Sequence, residues 1–180
     1  MPRLKLVRHP NEILRKKNEP VTFPLRPEIK ELADQMIFAC KKFRGVGLAA
    51  PQIGKNLQIA IINLEHYEIP AFPIFNPKVL THARTNSNLE EGCLSMPKKF
   101  GMVSRPEKIT VAFQNLAGKS VKTELSGLAA KVLQHEIDHL NGILICDKWD
   151  PKTVHELNGQ ARENYRKNRR KLLRAGLKQT

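Results

Sequence analysis

The sequence has few cysteines and no long apolar run. Cys40, Cys93 and Cys146 are its only cysteines. Three widely spaced cysteines argue against a disulfide framework and favour a reducing compartment. No stretch of about 18 apolar residues occurs, so we expect no segment to span a membrane. Residues 1–10 also lack the apolar run of a secretory signal, and we therefore expect a cytoplasmic protein.

Acidic residues are scarce as well, with 17 Asp and Glu against 31 Lys and Arg, and the net charge is +14. A positive surplus of this size attracts polyanions such as RNA, which indicates where the protein binds in the cell more than which reaction it carries out. With 180 residues, of which 41% are hydrophobic, the chain can bury one core. We expect one domain, with its main part over residues 1–150 and a basic C-terminal helix over residues 151–180 that packs on it.

One segment carries the pattern His-Glu-x-x-His, with His135, Glu136 and His139. Residues four apart share a helix face, so the two imidazoles can bind one metal ion while Glu136 lies beside its open side. A helix is predicted because Ser126 is a suitable N-cap, Gly142 suits a left-handed C-cap, and no proline lies between them. The alternative is a polar patch on an ordinary helix, since short patterns also occur by chance.

A catalytic metal site of this kind needs a third protein ligand and an exchangeable position. A third histidine at position 145 is excluded, because that residue is Ile145. Glutamates of a downstream helix serve in other zinc peptidases, but Glu156 and Glu163 fall on the predicted surface of the last helix. Cys93 is the better candidate, because it follows a glycine in a polar loop and a thiolate suits a borderline-soft divalent metal.

Elsewhere the hydrophobic pattern predicts a small mixed domain. Spacings of three and four predict an amphipathic helix over Pro27–Phe43, with Cys40 in the core. Apolar runs predict short strands over 57–63, 72–80, 109–115 and 120–125, the last two joined as a hairpin. A last helix is predicted from Asp150 and Pro151 onward.

Three segments together resemble the signature motifs of the peptide deformylase family, in the same order and spacing. They are GVGLAAPQ at 45–52, EGCLS at 91–95 and QHEIDHL at 134–140. The resemblance covers nearly the whole chain. It implies an α+β fold, in which short, mostly antiparallel sheets surround a central helix carrying the His-Glu-x-x-His motif, plus a C-terminal helix. It also implies that the protein hydrolyses the formyl group from the N-terminal N-formylmethionine of nascent polypeptides and releases formate.

The same resemblance implies roles for six residues. Three of them would bind one divalent metal ion: Cys93, His135 and His139. That ion would be Fe²⁺ in the cell, with Zn²⁺, Ni²⁺ or Co²⁺ possible in a purified sample. Glu136 would act as general acid and base, while the Gln52 amide and the Leu94 backbone N–H would stabilise charge on the carbonyl oxygen.

Seven residues are expected, from the resemblance, to contact the substrate: Val46, Gly47, Leu89, Glu91, Gly92, Leu128 and Val132. Gly47 would pair with the substrate backbone through its own main chain. Four of the seven would form an apolar pocket for the methionine side chain: Val46, Leu89, Leu128 and Val132. Arg105 is predicted to pair with Glu91 and so hold the loop that carries Cys93.

Some interpretations stay open. Lys131 either packs its stem on the pocket wall or is an ordinary solvated lysine. Phe100 stands where some relatives carry an arginine that contacts the substrate backbone, which can change the preference beyond methionine. The basic C-terminal helix either only packs on the domain or docks on the ribosome, and we favour docking. The rival functions are a peptidase that cuts internal bonds and a silent relative that binds ribosomal RNA.

Overall fold

The structure is a computed structural model that describes residues 4–65 and 68–157. These residues form α1 (Pro27–Lys42), β1 (Gly47–Ala49), β2 (Ile59–Leu64), β3 (Ile69–His82), β4 (Asn86–Cys93), β5 (Met96–Pro106), β6 (Lys108–Gln114), β7 (Ser120–Ser126), α2 (Gly127–Leu140) and β8 (His155–Glu156). Four 3₁₀ turns lie at Glu12–Arg15, Ala50–Ile53, Ile145–Asp147 and Pro151–Thr153. None of the helices in this part of the chain is both long and apolar enough to cross a bilayer.

The strands form two antiparallel sheets. One has five strands in the order β1-β2-β3-β6-β7, and the other has three strands in the order β4-β5-β8. The predicted α+β class is therefore confirmed. Among the described residues, β1 ends the five-stranded sheet and is paired on one edge, where Gly47 lies opposite Ile62 of β2.

Strand β2 lies between the two helices, and its side chains alternate between them. Ile59 and Ile61 belong to the core cluster that contains α1, whereas Ala60 and Ile62 belong to the cluster that contains α2. This alternation follows from the two-residue period of a strand, and it explains why β2 is apolar on both faces. Helix α2 is consequently held in the middle of the domain, where the sequence predicted the motif helix.

The ends of α2 are fixed by neighbouring residues. Ser126 occupies the N-cap in an extended conformation, and Gly142 follows the helix at φ +74°. Asn18, which is buried, donates its side-chain amide to the carbonyls of His139 and Leu140. These bonds satisfy carbonyls that a helix end leaves without partners. The C-terminal turn of α2, which carries His139, is thus anchored to the N-terminal segment.

Two regions differ from the sequence prediction. Residues 86–106, predicted in part as a polar loop, form the hairpin of β4 and β5, with Leu89 paired to Val103 and Gly92 to Phe100. At the other end, Pro151–Thr153 is a 3₁₀ turn and His155–Glu156 is a strand paired to β5, where the sequence predicted the start of the last helix. The rest of that predicted helix, residues 158–180, lies outside the described residues.

Candidate active site

Helix α2 presents two histidines and a glutamate at the base of a cleft. His135 and His139 are one turn apart, and their ring centroids are 5.0 Å from each other. The opposite side of α2 is apolar, with Ala130, Leu133 and Leu140 in the core. Burial of this apolar face determines the orientation of the helix and therefore which side chains face the cleft.

Cys93 is the last residue of β4 and lies next to these histidines. Its Sγ lies 3.2 Å from Nε2 of His139 and accepts hydrogen bonds at 3.4 Å from the Ser95 backbone N–H and from the Gln52 side-chain amide. Cys93 and Met96 face each other in the ladder, so the chain reverses tightly between β4 and β5. The hairpin therefore fixes the sulfur relative to α2.

The three side chains fit a shared metal ion. The ligand atoms of Cys93, His135 and His139 all lie within 4.8 Å of one another. Burial disfavours ionisation of Cys93, but the imidazoles of His139 and His135 outweigh it, and the pKa of the thiol falls well below its ordinary value. Burial also opposes the charged form of His135, yet the Cys93 sulfur and Glu91 raise its pKa well above normal. One sulfur and two imidazole nitrogens are a donor set typical of a borderline-soft divalent cation.

Glu136 lies beside these ligands and is 3% exposed. Within the described chain, its buried Oε2 has no hydrogen-bond partner. Burial raises the pKa of Glu136 to about 7, although the nearby imidazoles of His135 and His139 act in the opposite direction. A carboxyl group with a pKa near neutrality can both accept and return a proton, which is the property required of a general acid and base.

Gln52 is held with its amide nitrogen toward the site. It belongs to the 3₁₀ turn after β1, and its Oε1 accepts a bond of 2.9 Å from the Ala49 backbone N–H. Its Nε2 is 3.4 Å from both the Cys93 sulfur and the Ser95 hydroxyl. Because the amide oxygen is already bonded, the nitrogen with its two donors is the end that faces the cleft.

A buried network of charged groups lies behind the ligands. Arg105 donates to Glu91 at 2.7 and 3.1 Å and to Asp138 at 2.7 Å, and Oε2 of Glu91 lies 3.0 Å from Nδ1 of His135. Burial works against the charged forms, but the mutual bonds dominate, so the pKa of Glu91 is lowered and that of Arg105 is raised. The contact orients the His135 ring and directs its Nε2 away from Glu91.

The predicted pairing of Arg105 with Glu91 is thus present, and the structure adds partners that the sequence did not indicate. Asp138 completes the network, and the Trp149 indole donates to the Glu91 carbonyl at 3.0 Å. Asp138 lies three residues after His135, at a spacing that a search for charged helix neighbours could have found. Trp149 has no sequence signal that links it to β4.

All the substrate-contact residues expected from the resemblance line one cavity of about 530 Å³. They are Val46, Gly47, Leu89, Glu91, Gly92, Leu128 and Val132. Gln52, Cys93, Leu94, His135 and Glu136 line it too, whereas His139 is buried beneath. Lys131 is also part of the wall and is 7% exposed, so it is not an ordinary solvated lysine. Burial lowers the pKa of its ammonium group.

Of the two alternative glutamate ligands, Glu156 is described by the structure and does not reach this site. Glu156 is exposed on β8 and faces Lys99 at 4.0 Å. Glu163 lies outside the described residues. Within the described part of the chain, the cysteine at 93 is therefore the side chain that joins the two histidines.

Comparison with known proteins gives a consistent result. The family model "Polypeptide deformylase" matches residues 3–155. A peptide deformylase of Mesorhizobium japonicum is 42% identical over 149 residues, which cover 82% of this chain and 84% of that protein. A chloroplastic peptide deformylase 1B of Solanum lycopersicum is 41% identical over 153 residues, and the match spans 84% of this chain but only 54% of that protein.

A solved structure shows the same fold. The crystal structure of the peptide deformylase from Thermotoga maritima superposes with a TM-score of 0.79 at 36% identity, covering 84% of this chain and 100% of that one.

Proposed function

The chain belongs to the polypeptide deformylase family, and from this premise we propose that it removes the formyl group from N-terminal N-formylmethionine of nascent polypeptides and releases formate. The observation that carries the proposal is the convergence of Cys93, His135 and His139 beside Glu136. These groups stand at the base of a cavity that opens to solvent.

The proposed cofactor is one divalent metal ion held by Cys93, His135 and His139. We propose Fe²⁺ in the cell, with Zn²⁺, Ni²⁺ or Co²⁺ able to replace it during purification. When bound, such an ion supplies a Lewis acid that polarises the formyl carbonyl and lowers the pKa of a water molecule toward neutrality. The donor set supports this choice, since a thiolate and two imidazoles suit a borderline-soft metal.

Glu136 moves the proton in this scheme. The carboxylate accepts a proton from the attacking water and delivers it to the amine nitrogen as the bond between carbon and nitrogen breaks. The Gln52 amide and the Leu94 backbone N–H donate to the carbonyl oxygen, where negative charge develops. The bond between Ala49 N–H and Gln52 Oε1 orients that amide before the substrate arrives.

Substrate binding uses the edge strand and the apolar wall. Gly47 lies in β1, whose second edge is unpaired within the described sheet, so an extended peptide can add to it by main-chain hydrogen bonds. Val46, Leu89, Leu128 and Val132 form the wall that receives the methionine side chain. An unbranched apolar side chain suits such a pocket.

We also propose that the protein works in the cytoplasm and meets its substrate at the ribosome. The net charge of +14 supports attraction to a particle rich in RNA. The basic segment over residues 158–180, outside the described residues, is the proposed contact. Truncation after residue 157, followed by cosedimentation with ribosomes, tests this, and full retention of binding would rule the segment out.

The central experiment is formate release from formyl-Met-Ala-Ser by protein purified without oxygen. We expect stoichiometric formate. Glu136→Gln should reduce kcat by about 10²–10⁴. Cys146→Ala serves as the control, because Cys146 does not line the cavity. Absence of formate with metal-loaded protein would reject the function.

A further inference from the structure

The cavity mouth carries a cluster of exposed charged side chains that the proposed chemistry does not use. Five such residues line it: Arg8, Lys41, Arg44, Glu65 and Lys98. Lys41 pairs with Glu65, whereas no described residue forms an ion pair with any of the other three cations. Arg8, Arg44 and Lys98, which we call the mouth cations, therefore leave a surplus of positive charge where a substrate enters.

Two of the mouth cations have an unusual backbone. Arg44 has φ +57° and Lys98 has φ +73°. The left-handed conformation is unfavourable for a residue with a Cβ, and glycine usually occupies such positions. The chain instead holds a long cationic side chain at both positions, in the α1–β1 loop and in β5, and both residues line the cavity. Strain of this kind is concentrated at ligand-binding sites.

The distribution of charge along the substrate peptide indicates which part of it meets the mouth cations. Formylation removes the charge of the amino terminus, and methionine is neutral, so the part of the peptide at the metal ligands carries none. A cavity of about 530 Å³ lies in the range that holds a drug-sized ligand and extends past one residue. Charges that reach the mouth must come from the side chains that follow formyl-methionine.

We infer that the mouth cations form a subsite for a carboxylate side chain within the few residues after formyl-methionine, and that they disfavour lysine and arginine there. The inference rests on the proposed deformylase function and adds a preference to it. Attraction in an exposed mouth acts mainly on encounter and is weakened by salt. Each exposed ion pair is worth about two- to fivefold in affinity, so the preference is graded.

Three peptide amides test the inference: formyl-Met-Ala-Asp-Ser, formyl-Met-Ala-Asn-Ser and formyl-Met-Ala-Lys-Ser. The C-terminal amide removes the carboxylate that would otherwise be present in every peptide. At low ionic strength we expect kcat/KM for the Asp peptide to exceed that for the Lys peptide by about tenfold, with the Asn peptide between them. The ratio should fall toward one in about 0.5 M salt, where screening is strong.

A charge-removal variant assigns the effect to the mouth. It combines Arg8→Gln with Arg44→Asn and Lys98→Asn, because asparagine tolerates positive φ. The matched control removes three exposed lysines that do not line the cavity, with Lys78→Gln, Lys108→Gln and Lys122→Gln. The mouth variant should reduce the Asp-to-Lys ratio to about one, whereas the control should keep the ratio of the parent.

The outcomes separate the two proposals. A parent ratio near one, or an equal loss in both variants, overturns the subsite. An unchanged ratio together with weaker ribosome cosedimentation of the mouth variant also overturns it and assigns the cations to RNA. If the Asn peptide is not hydrolysed, the deformylase function fails. Fluorescence anisotropy of the labelled Asp and Lys peptides then tests the subsite by binding alone. Equal affinities of the two peptides reject the subsite, and tighter binding of the Asp peptide supports it.

Discussion

The main chain of Gly47 lies directly against the carboxylate of Glu136. A Cβ atom placed on Gly47 would overlap Oε1 and Cδ of that side chain. The edge strand and the proposed general acid and base therefore share one small volume, which only glycine leaves open. The glycine is required here for space, because its backbone lies in an ordinary strand.

Gly47→Ala should consequently displace Glu136 and block the approach of a peptide to β1. We expect a loss of at least about 10²-fold in kcat/KM, comparable to removal of a proton-transfer group. The metal content should be retained, because the three atoms nearest to the new methyl group all belong to Glu136 and none to Cys93, His135 or His139. Steady-state kinetics and metal analysis of the same preparation measure both quantities.

Gly127→Asn is the control for this change. It also adds a side chain at a glycine, but nothing lies within 4 Å of that position, and asparagine tolerates its φ of +57°. It should keep kcat/KM within about twofold of the parent, since surface changes away from special features have small effects. Equal losses in the two variants would mean that the effect of Gly47→Ala is general.

Arg105→Ala should weaken metal retention and stability together. Arg105 is 4% exposed and is the partner of two acidic side chains, Glu91 and Asp138. Removing one member of a buried ion pair costs about 3–5 kcal/mol, because a charge is left buried without compensation. Release of Glu91 also removes the support of His135, which typically lowers metal affinity about 10- to 100-fold.

Arg15→Ala is the matched change on the surface. Arg15 pairs with Asp147, and both side chains are substantially exposed. Such pairs contribute about 0–1 kcal/mol, so we expect little change in stability and none in metal retention. Denaturant unfolding and competition with a chelator give the two measurements. Equal metal retention in the two variants would remove the proposed role of Arg105.

Gln52→Leu tests the donor in the proposed oxyanion contact. Loss of one such donor typically lowers kcat by about 10²–10³. The Ala49 N–H would also lose its acceptor, so we expect a decrease of about 1–3 kcal/mol in stability. The effect should fall on kcat and not on KM, because the charge develops only in the transition state. A rise in KM alone would assign Gln52 to ground-state binding.

The sequence predicted the central helix and its histidines well because local signals agree there. The apolar period, the cap residues and the four-residue spacing all describe α2 without reference to the rest of the fold. The hairpin of β4 and β5 was not predicted, because Asn86–Cys93 is polar and contains glycine, and the region around Cys93 was therefore interpreted as a loop. Its strand conformation is imposed by pairing with β5 and by contact with Trp149, which are tertiary effects.

Contacts between residues that are distant in sequence were the other feature that the sequence did not predict. The pairing of Arg105 with Glu91 was expected from the resemblance. Asp138 and Trp149 were not expected as partners, because no local pattern links either of them to residues 91 and 105. Lys131 had two interpretations because a helical wheel gives a direction and not an exposure. The structure decides it, as Lys131 is buried in the cavity wall.

Metal removal should destabilise the folded protein in a way that depends on Cys93. A ligand that binds only the folded state at 100 times its Kd stabilises by about 2.7 kcal/mol. For a domain of this size, that corresponds to roughly 5–10 °C in Tm. We therefore expect a chelator to lower the Tm of the parent protein by this amount in differential scanning calorimetry. Restoring Zn²⁺ should reverse the shift.

Cys93→Ala gives the decisive comparison, because it removes one of the three proposed ligands and leaves the two histidines in place. Its Tm should already be low, and the chelator should not change it further. Cys146→Ala should respond to the chelator as the parent does, since Cys146 does not line the cavity. A chelator-dependent shift that persists in Cys93→Ala would mean that the histidines bind the metal with another partner, and the thiolate would then have to be assigned a different role.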